Sequence, residues 1–431
     1  MHMNRLTFLA LVGALAACGT TPEEEDDTSD PPKTPKPDPR TPAEIAASDA
    51  ARVVFFETTT IHKVEVKLPA ADWDRYMKEH RNLDPDFNPT WFTAEVVVDG
   101  TSVPNTGIKN FGYGSREVSP NKPNIRVDFS KNVRTQFYKG IDEIRLKNNG
   151  QDTTGLRQPI VFESLRAAGL MASRTSYAEV VVNGEPFGFY LVEEPFGREM
   201  VRIGAGNNDG TAYEASDCQG FVAPPKGCGD LLEFYDRPFN DELGEGEDLK
   251  AICEVMNGPA DRFVSGVSQL VKLDEWTLGV AADLALAGDY DGFSTSGANF
   301  RLYNDTKLKR MRLVIGGPDT TFDALYTPDP LKPRPSSNCR NVNPHYRDIF
   351  LEKLTGTPAG LEQYKAAVRQ LRTGVMAPAK LRARVDALWA ITGAKVKEDK
   401  KRPPTPEPEA FKELMKTFFD QRDAELAKLG M

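Results

Sequence analysis

Histidine is nearly absent, with four residues in a chain of 431. One of them, His2, lies in an apolar leader, so too few remain for a histidine-built metal centre. Several motifs are missing as well. There is no Walker A pattern, no G-x-S-x-G and no H-E-x-x-H, which excludes P-loop nucleotide hydrolysis, the nucleophile elbow and the zincin site. Gly204-Ala205-Gly206 continues as Asn207-Asn208-Asp209-Gly210, one residue too long for a dinucleotide fingerprint and without a clear strand–helix setting. Asp289-Tyr290-Asp291-Gly292 opens like a calcium loop, but Phe300 stands where the twelfth-position Glu is required. Beyond the leader no run approaches about 18 apolar residues, so the body carries no spanning helix. Positive charge is in deficit too. The net charge is −9, which excludes a general nucleic-acid coat but not a local basic pocket.

What is present is enough for a large core. Hydrophobic residues are 39%, with 23 Phe, 12 Tyr and 4 Trp. The length suits two or three domains of about 150 residues, or one large domain with appendages. Arg5 precedes the apolar run Leu6 to Ala17, which ends Leu15-Ala16-Ala17-Cys18. This resembles a bacterial lipobox, with residues 1–17 as signal peptide and Cys18 as the acylated mature terminus. The alternative, a buried N-terminal helix, lacks a following amphipathic pattern. Residues 18–50 hold the acidic run Glu23 to Asp27 and six prolines from Pro31 to Pro42. Repeated proline blocks helix, so this segment reads as a semi-extended tether. The expected location is the cell envelope, at the outer membrane or cell surface, held by lipid alone.

Four cysteines remain: Cys218, Cys228, Cys253 and Cys339. An even number in an exported chain suggests two disulfides, with three connectivities open. Cys218–Cys228 would close a short Gly- and Pro-rich loop and leave Cys253–Cys339 as the long-range pair; free buried thiols are the alternative.

Ile61 to Leu68 alternates, with Val64, Val66 and Leu68 on one face, and predicts a half-buried strand. Asp72-Trp73-Asp74 opens a short helix. Phe92 to Val98 is a strand ending in Asp99-Gly100. Ile108 to Phe111, Asn124 to Phe129 and Ile141 to Leu146 are further strands, and Leu156 to Ala168 is a helix stopped by Gly169. Tyr177 to Val182, Asn183-Gly184 and Gly188 to Val192 form a hairpin. Residues 204–246 are loop-rich. Helices follow at 248–257, 261–272 and 274–287, then a hairpin from Phe300 to Tyr303 and Met311 to Ile315. From about 345 the chain is helical, with Phe411, Leu414, Met415 and Phe418 at helical spacing. Strands first and helices later make an α+β fold.

Three clusters carry chemistry. Phe111-Gly112-Tyr113-Gly114-Ser115-Arg116, followed by Lys122, supplies glycines that let backbone N–H groups approach phosphate and a cation to meet it. An ordinary hairpin with a solvated lysine fits the same residues. Glu193 and Glu194 end a strand, where one of them would pair with Lys122; a surface acid pair is the alternative. Asp289, Asp291, Asn299 and Asp319 form an oxygen-only set suited to Mg²⁺ or Mn²⁺. Aspartates capping loops and helices would look the same. Together the three offer a cation for phosphate, metal ligands and an acid to orient a hydroxyl, the needs of phosphoryl transfer.

The order of these pieces resembles the spore-coat CotH kinase family, from about Val64 to Phe322. Ile108-Lys109-Asn110-Phe111-Gly112-Tyr113-Gly114-Ser115, Lys122 before a strand, Leu146-Lys147-Asn148-Asn149 with Asp152, Val182-Asn183-Gly184 with Gly188-Phe189-Tyr190 and Glu193, Asp291-Gly292 with Asn299 and Tyr303, and Asp319-Thr320-Thr321-Phe322 are similar to its motifs. The family has an Arg where Lys109 stands and a further acid where Gly317 stands. The resemblance implies an atypical protein-kinase-like body over residues 51–344, with a helical C-terminal region at 345–431. It implies ATP-dependent phosphorylation of protein Ser or Thr outside the cytoplasm. Lys122 would bind phosphates with Gly112, Gly114 and Ser115. Glu193, or Glu194 if the register slips, would orient Lys122 or assist the metal. Asp291 would act as catalytic acid–base, and Asn299 and Asp319 would bind Mg²⁺. Gly317 also leaves open a catalytically weak binding or assembly module at the envelope. The expected partner is a protein substrate, not a nucleic acid.

Overall fold

The computed structural model describes residues 40–84, 87–112, 114–215, 219–224, 227–241, 243–325, 327–336, 346–403 and 407–431. The leader, Cys18 and the tether up to residue 39 lie outside these, as do Tyr113, Cys218 and Cys339. The end of the expected tether is not extended. Helix α1 spans Pro42–Phe55, and a capping box starts it, with the Glu44 carboxylate accepting from the Thr41 N–H at 2.7 Å and the Thr41 hydroxyl accepting from the Glu44 N–H. Pro42, which reads as a helix breaker in a proline-rich run, sits in the first turn, where its missing N–H costs nothing.

Seven strands close a barrel: β1 (Ile61–Lys67), β2 (Phe92–Val98), β3 (Thr101–Lys109), β4 (Ile125–Asp128), β5 (Glu143–Lys147), β6 (Thr175–Val182) and β7 (Glu185–Glu193), in the order β1-β2-β3-β4-β5-β7-β6. Neighbours are antiparallel except for β1 and β6, whose parallel pairing closes the ring. The alternation does this work. Val64, Val66, Val96, Ile108, Ile125, Val127, Ile144, Leu146, Val180 and Val192 point inward and bury one apolar interior, while the intervening polar residues face out. Asp99-Gly100 and Asn183-Gly184 turn the expected hairpins with positive φ at both positions. β3 starts seven residues before Ile108, at Thr101; Pro104 and Gly107 hide it in the sequence.

Helices α2 (Ala70–His80), α3 (Gly114–Val118), α4 (Arg157–Ala167) and α5 (Arg198–Ala205) lie between or after barrel strands. A second, antiparallel sheet has the order β11-β10-β8-β9, from β8 (Ala212–Ala215), β9 (Tyr235–Asp236), β10 (Phe300–Asp305) and β11 (Arg310–Ile315). The remaining helices are α6 (Glu247–Asn257), α7 (Phe263–Leu270), α8 (Leu273–Val280) with a π-helical continuation at Ala281–Ala287, α9 (Phe293–Ser296), α10 (Ile349–Thr355), α11 (Pro358–Thr373), α12 (Pro378–Glu398) and α13 (Pro408–Lys428); α7 and α8 lie directly against β11. The fold is α+β with a helical C-terminal region, as the sequence predicts.

The last four helices are not an appendage, however. Phe350, Leu371, Phe411, Met415, Phe418 and Phe419 share one core with Trp276, Phe293, Phe300 and Phe322, so the boundary drawn at 344 does not divide the interior. Within α13, Leu414 leaves the expected stripe and is 55% exposed. The observed disulfide joins Cys228 to Cys253. That overturns both expected pairs, since each used one of these two sulfurs. Among the described residues no helix is long and apolar enough to cross a membrane.

Candidate active site

β5 and β7 are hydrogen-bonded neighbours, with Arg145 opposite Glu193 and Lys147 opposite Leu191. Opposed residues share a face, so Lys147 and Glu193 project together from the outer side of the barrel. The Lys147 ammonium lies 3.5 Å from Glu193 Oε2 and 3.2 Å from Asp319 Oδ2. Burial alone would pull this lysine down, but Asp319 and Glu193 outweigh it and its pKa is raised, which keeps the ammonium charged. Gln158, in the first turn of α4, joins the same group. Its Oε1 accepts from Lys147 at 3.1 Å, and its Nε2 donates to Asp319 Oδ2 at 3.3 Å. Arg157 Nη1 donates to the Asp319 carbonyl at 2.7 Å.

Asp319 reaches this point because β11 is followed by Gly316-Gly317. A Cβ on Gly316 would fall 1.4 Å from Arg301 Nη1, so a larger residue would displace the Arg301 guanidinium from its Glu214 partner, 2.7 Å away. Gly317 turns with φ +60, and its missing Cβ would lie 2.9 Å from Asn299 Oδ1. Asn299 thus packs against the point where a side chain at position 317 would start. Asn299 itself holds Asp291, its Nδ2 donating to the Asp291 carbonyl at 2.7 Å and to Oδ2 at 3.1 Å. Burial, then Asp289, then Asp319 push Asp291 up to about 7, the range of a proton acceptor at neutral pH.

Lys122 is not part of this group. Its ammonium is fully buried, donates to the Phe189 carbonyl at 2.6 Å and to Asp399 Oδ2 at 2.7 Å, and lies over the Tyr190 ring. Burial lowers its pKa, partly offset by Asp399. The expected Glu193–Lys122 pair is therefore not formed; the lysine beside Glu193 is Lys147. Glu194 points elsewhere, to Arg174 at 2.8 Å and Arg52 at 3.6 Å. Lys147 carried a signal in the Leu146-Lys147-Asn148-Asn149 run, where it ends an alternating strand. Only the register beside Glu193 distinguishes it from Lys122.

The glycine loop folds against the residue after Lys147. Ser115 accepts from Asn124 Nδ2 at 2.7 Å through its hydroxyl and from Asn148 Nδ2 at 3.2 Å through its carbonyl, and Asn124 Oδ1 accepts from the Asn148 N–H at 2.7 Å. Gly112 has φ +74 and Gly114 opens α3. The loop is thereby fixed beside the β5 end, with its serine hydroxyl bound to Asn124.

Among the described residues, no three His, Cys, Asp or Glu stand together as a metal site. Glu193 is taken by Lys147 rather than placed as a metal ligand. Asp319 and Asn299 carry oxygen donors of the class Mg²⁺ takes, and that ion leaves its remaining positions to waters and substrate phosphates.

No curated protein sequence matches the chain. The crystal structure of a Helicobacter pylori proinflammatory kinase, CtkA, is similar over 73% of this chain and 97% of that one, at 13% identity and a TM-score of 0.33. The sequence pattern described as CotH kinase protein matches residues 108–426. It starts later than Val64 and runs past Phe322, through most of α13, so the C-terminal helices lie inside it. With most of its length in that match, the chain belongs to the CotH kinase family.

Proposed function

We propose that this chain transfers phosphate from ATP to Ser or Thr of a protein substrate, outside the cytoplasm and anchored by lipid on Cys18. The observation that carries this reading is the Lys147 ammonium set between Glu193 and Asp319, 3.5 and 3.2 Å away, with Asp319 near enough to Asp291 to raise its pKa and Asn299 bonded to Asp291. Lys147, in place of Lys122, would hold phosphate oxygens, with Gly112, Gly114 and Ser115 covering them. Glu193 keeps Lys147 oriented. Asn299 and Asp319 would hold Mg²⁺, or Mn²⁺, which neutralises charge on the phosphates when bound. Asp291 Oδ would take the proton of the incoming hydroxyl.

The second reading, a weak or inactive envelope-binding module, is favoured by Gly317. It supplies no carboxylate, and a Cβ there would already meet Asn299 Oδ1 at 2.9 Å. Thermal unfolding with Mg-ATP separates the two. Binding to the folded chain raises the melting temperature by linkage. Transfer of labelled γ-phosphate to protein by the wild type, lost in Asp291→Asn, supports the enzyme. An unmoved melting temperature in both Mg²⁺ and Mn²⁺ rejects it.

A further inference from the structure

The loop carrying Asp291 and the loop carrying Asp319 come from different elements, one after the π-helical turn and one after β11. Their relative position sets the distance between the proton acceptor and the metal side of the site. Two buried side chains join them. Asp289 Oδ1 accepts from the Thr320 hydroxyl at 2.5 Å and from the Asp291 N–H at 3.1 Å. The same Asp291 N–H lies 3.2 Å from Thr320 Oγ1. Asp289 is 1% exposed and Thr320 6%. A backbone bond from the Phe322 N–H to the Ala287 carbonyl, at 2.8 Å, continues the contact. Asp289 is packed from behind. Gly292 lies close against both acids: a Cβ there would fall 2.4 Å from Asp283 Oδ2 and 3.0 Å from Asp289 Oδ2. Asp291 is two residues after Asp289, and Asp319 is one before Thr320. Each reactive carboxylate is thus one short step from the tie.

We infer that Asp289 and Thr320 act as positioning residues, a bridge that fixes the spacing of Asp291 from Asp319, a role that rests on the phosphotransfer reading of this site. Neither side chain need touch substrate. An ordinary turn cap would require the Asp289-to-Asp291 bond alone; the Thr320 hydroxyl, from another element, is what makes it a link between the two halves of the site.

Thr320→Val keeps the shape and removes the hydroxyl. In the full chain it should lower kcat by roughly 10²-fold, the cost of a misplacement of about 1 Å, and raise the Mg²⁺ concentration needed for half-maximal rate, with the KM for peptide unchanged. Thr320→Ser should restore most of both. Asp289→Asn, which retains the accepting Oδ1, should fall between. Wild-type kcat and Mg²⁺ requirement in Thr320→Val would overturn the bridge while leaving the kinase reading intact. So would equal losses in the Ser and Val variants that track their melting temperatures, since that is a folding effect. A wild type that neither binds Mg-ATP nor transfers phosphate would remove the kinase reading and the bridge with it.

Discussion

Two lysines of the barrel, Lys122 buried and Lys147 half-buried, answer to different carboxylates, and substitution should tell them apart. Lys147→Met should abolish the Mg-ATP thermal shift at concentrations that saturate the wild type, and lower transfer by roughly 10²-fold or more, because the cation proposed to meet the phosphates is gone. Lys122→Met instead strands Asp399, which is buried and also accepts from the Phe189 N–H at 3.0 Å. Breaking such a pair costs about 3–5 kcal/mol, read as a lower urea midpoint, with ATP affinity retained. Asp291 adds a pH test. Its pKa is raised to about 7 by burial, Asp289 and Asp319, and it accepts a proton only when ionised. The rate constant should therefore climb with pH through about 7 and level off above it. A profile flat from pH 6 to 8 would remove Asp291 as the base.

Helix α1 shows how an element outside the family match is bound into the fold. Arg52 reaches from it to Asp142 and Glu194, and is 1% exposed. Arg202 pairs with Asp49 on the same helix at 2.9 Å, between side chains about one-fifth exposed. The two pairs should not be worth the same. Arg52→Ala leaves Glu194 buried with only Arg174 and should cost about 3 kcal/mol, whereas Asp49→Asn should cost at most about 1 kcal/mol; urea unfolding compares them. The Cys228–Cys253 disulfide ties the turn before β9 to α6 across 25 residues. Replacing both cysteines with serine should cost roughly 3–4 kcal/mol through loop entropy in the unfolded chain, without changing Mg-ATP affinity.

At the scale of the molecule, the second sheet and the C-terminal helices are one interior. A fragment ending at residue 344 would expose the faces of Trp276 and Phe322 that α10 and α13 cover. It should show no cooperative thermal transition, monitored by near-ultraviolet circular dichroism. The same interior holds Asp348, the cap of α10, whose pKa burial raises to about 6 against the N–H of Leu351 and the hydroxyl of Ser294. An acid raised in the folded state binds its proton more tightly there than when unfolded. Its contribution to stability is present below the ordinary carboxylate range and is lost as pH rises through about 6. The melting temperature should fall between pH 5 and 7, and by less in Asp348→Asn.

Much of this was legible in the amino-acid order. Period-two alternation placed Val64 and Val66 inside a strand, Asn183-Gly184 made a turn because both residues tolerate positive φ, and the Phe411, Met415 and Phe418 spacing marked a buried helix face. These are local properties, determined within a few residues. The acids Glu193, Asp291 and Asp319 were also visible, as polar residues at strand ends and in Gly-rich loops. The lysine was not. Lys122 stands just before a strand and Lys147 ends one, each near asparagine, and nothing within reach of either along the chain tells which meets Glu193. Cross-strand register put Lys147 beside Glu193, and Asp399, 277 positions away in the chain, took Lys122. The same holds for the cysteines and for the Asp289–Thr320 tie. Composition and periodicity determined which segments bury and which turn; tertiary structure alone decided which charges meet, because a pairing between distant residues depends on where the packed elements bring them.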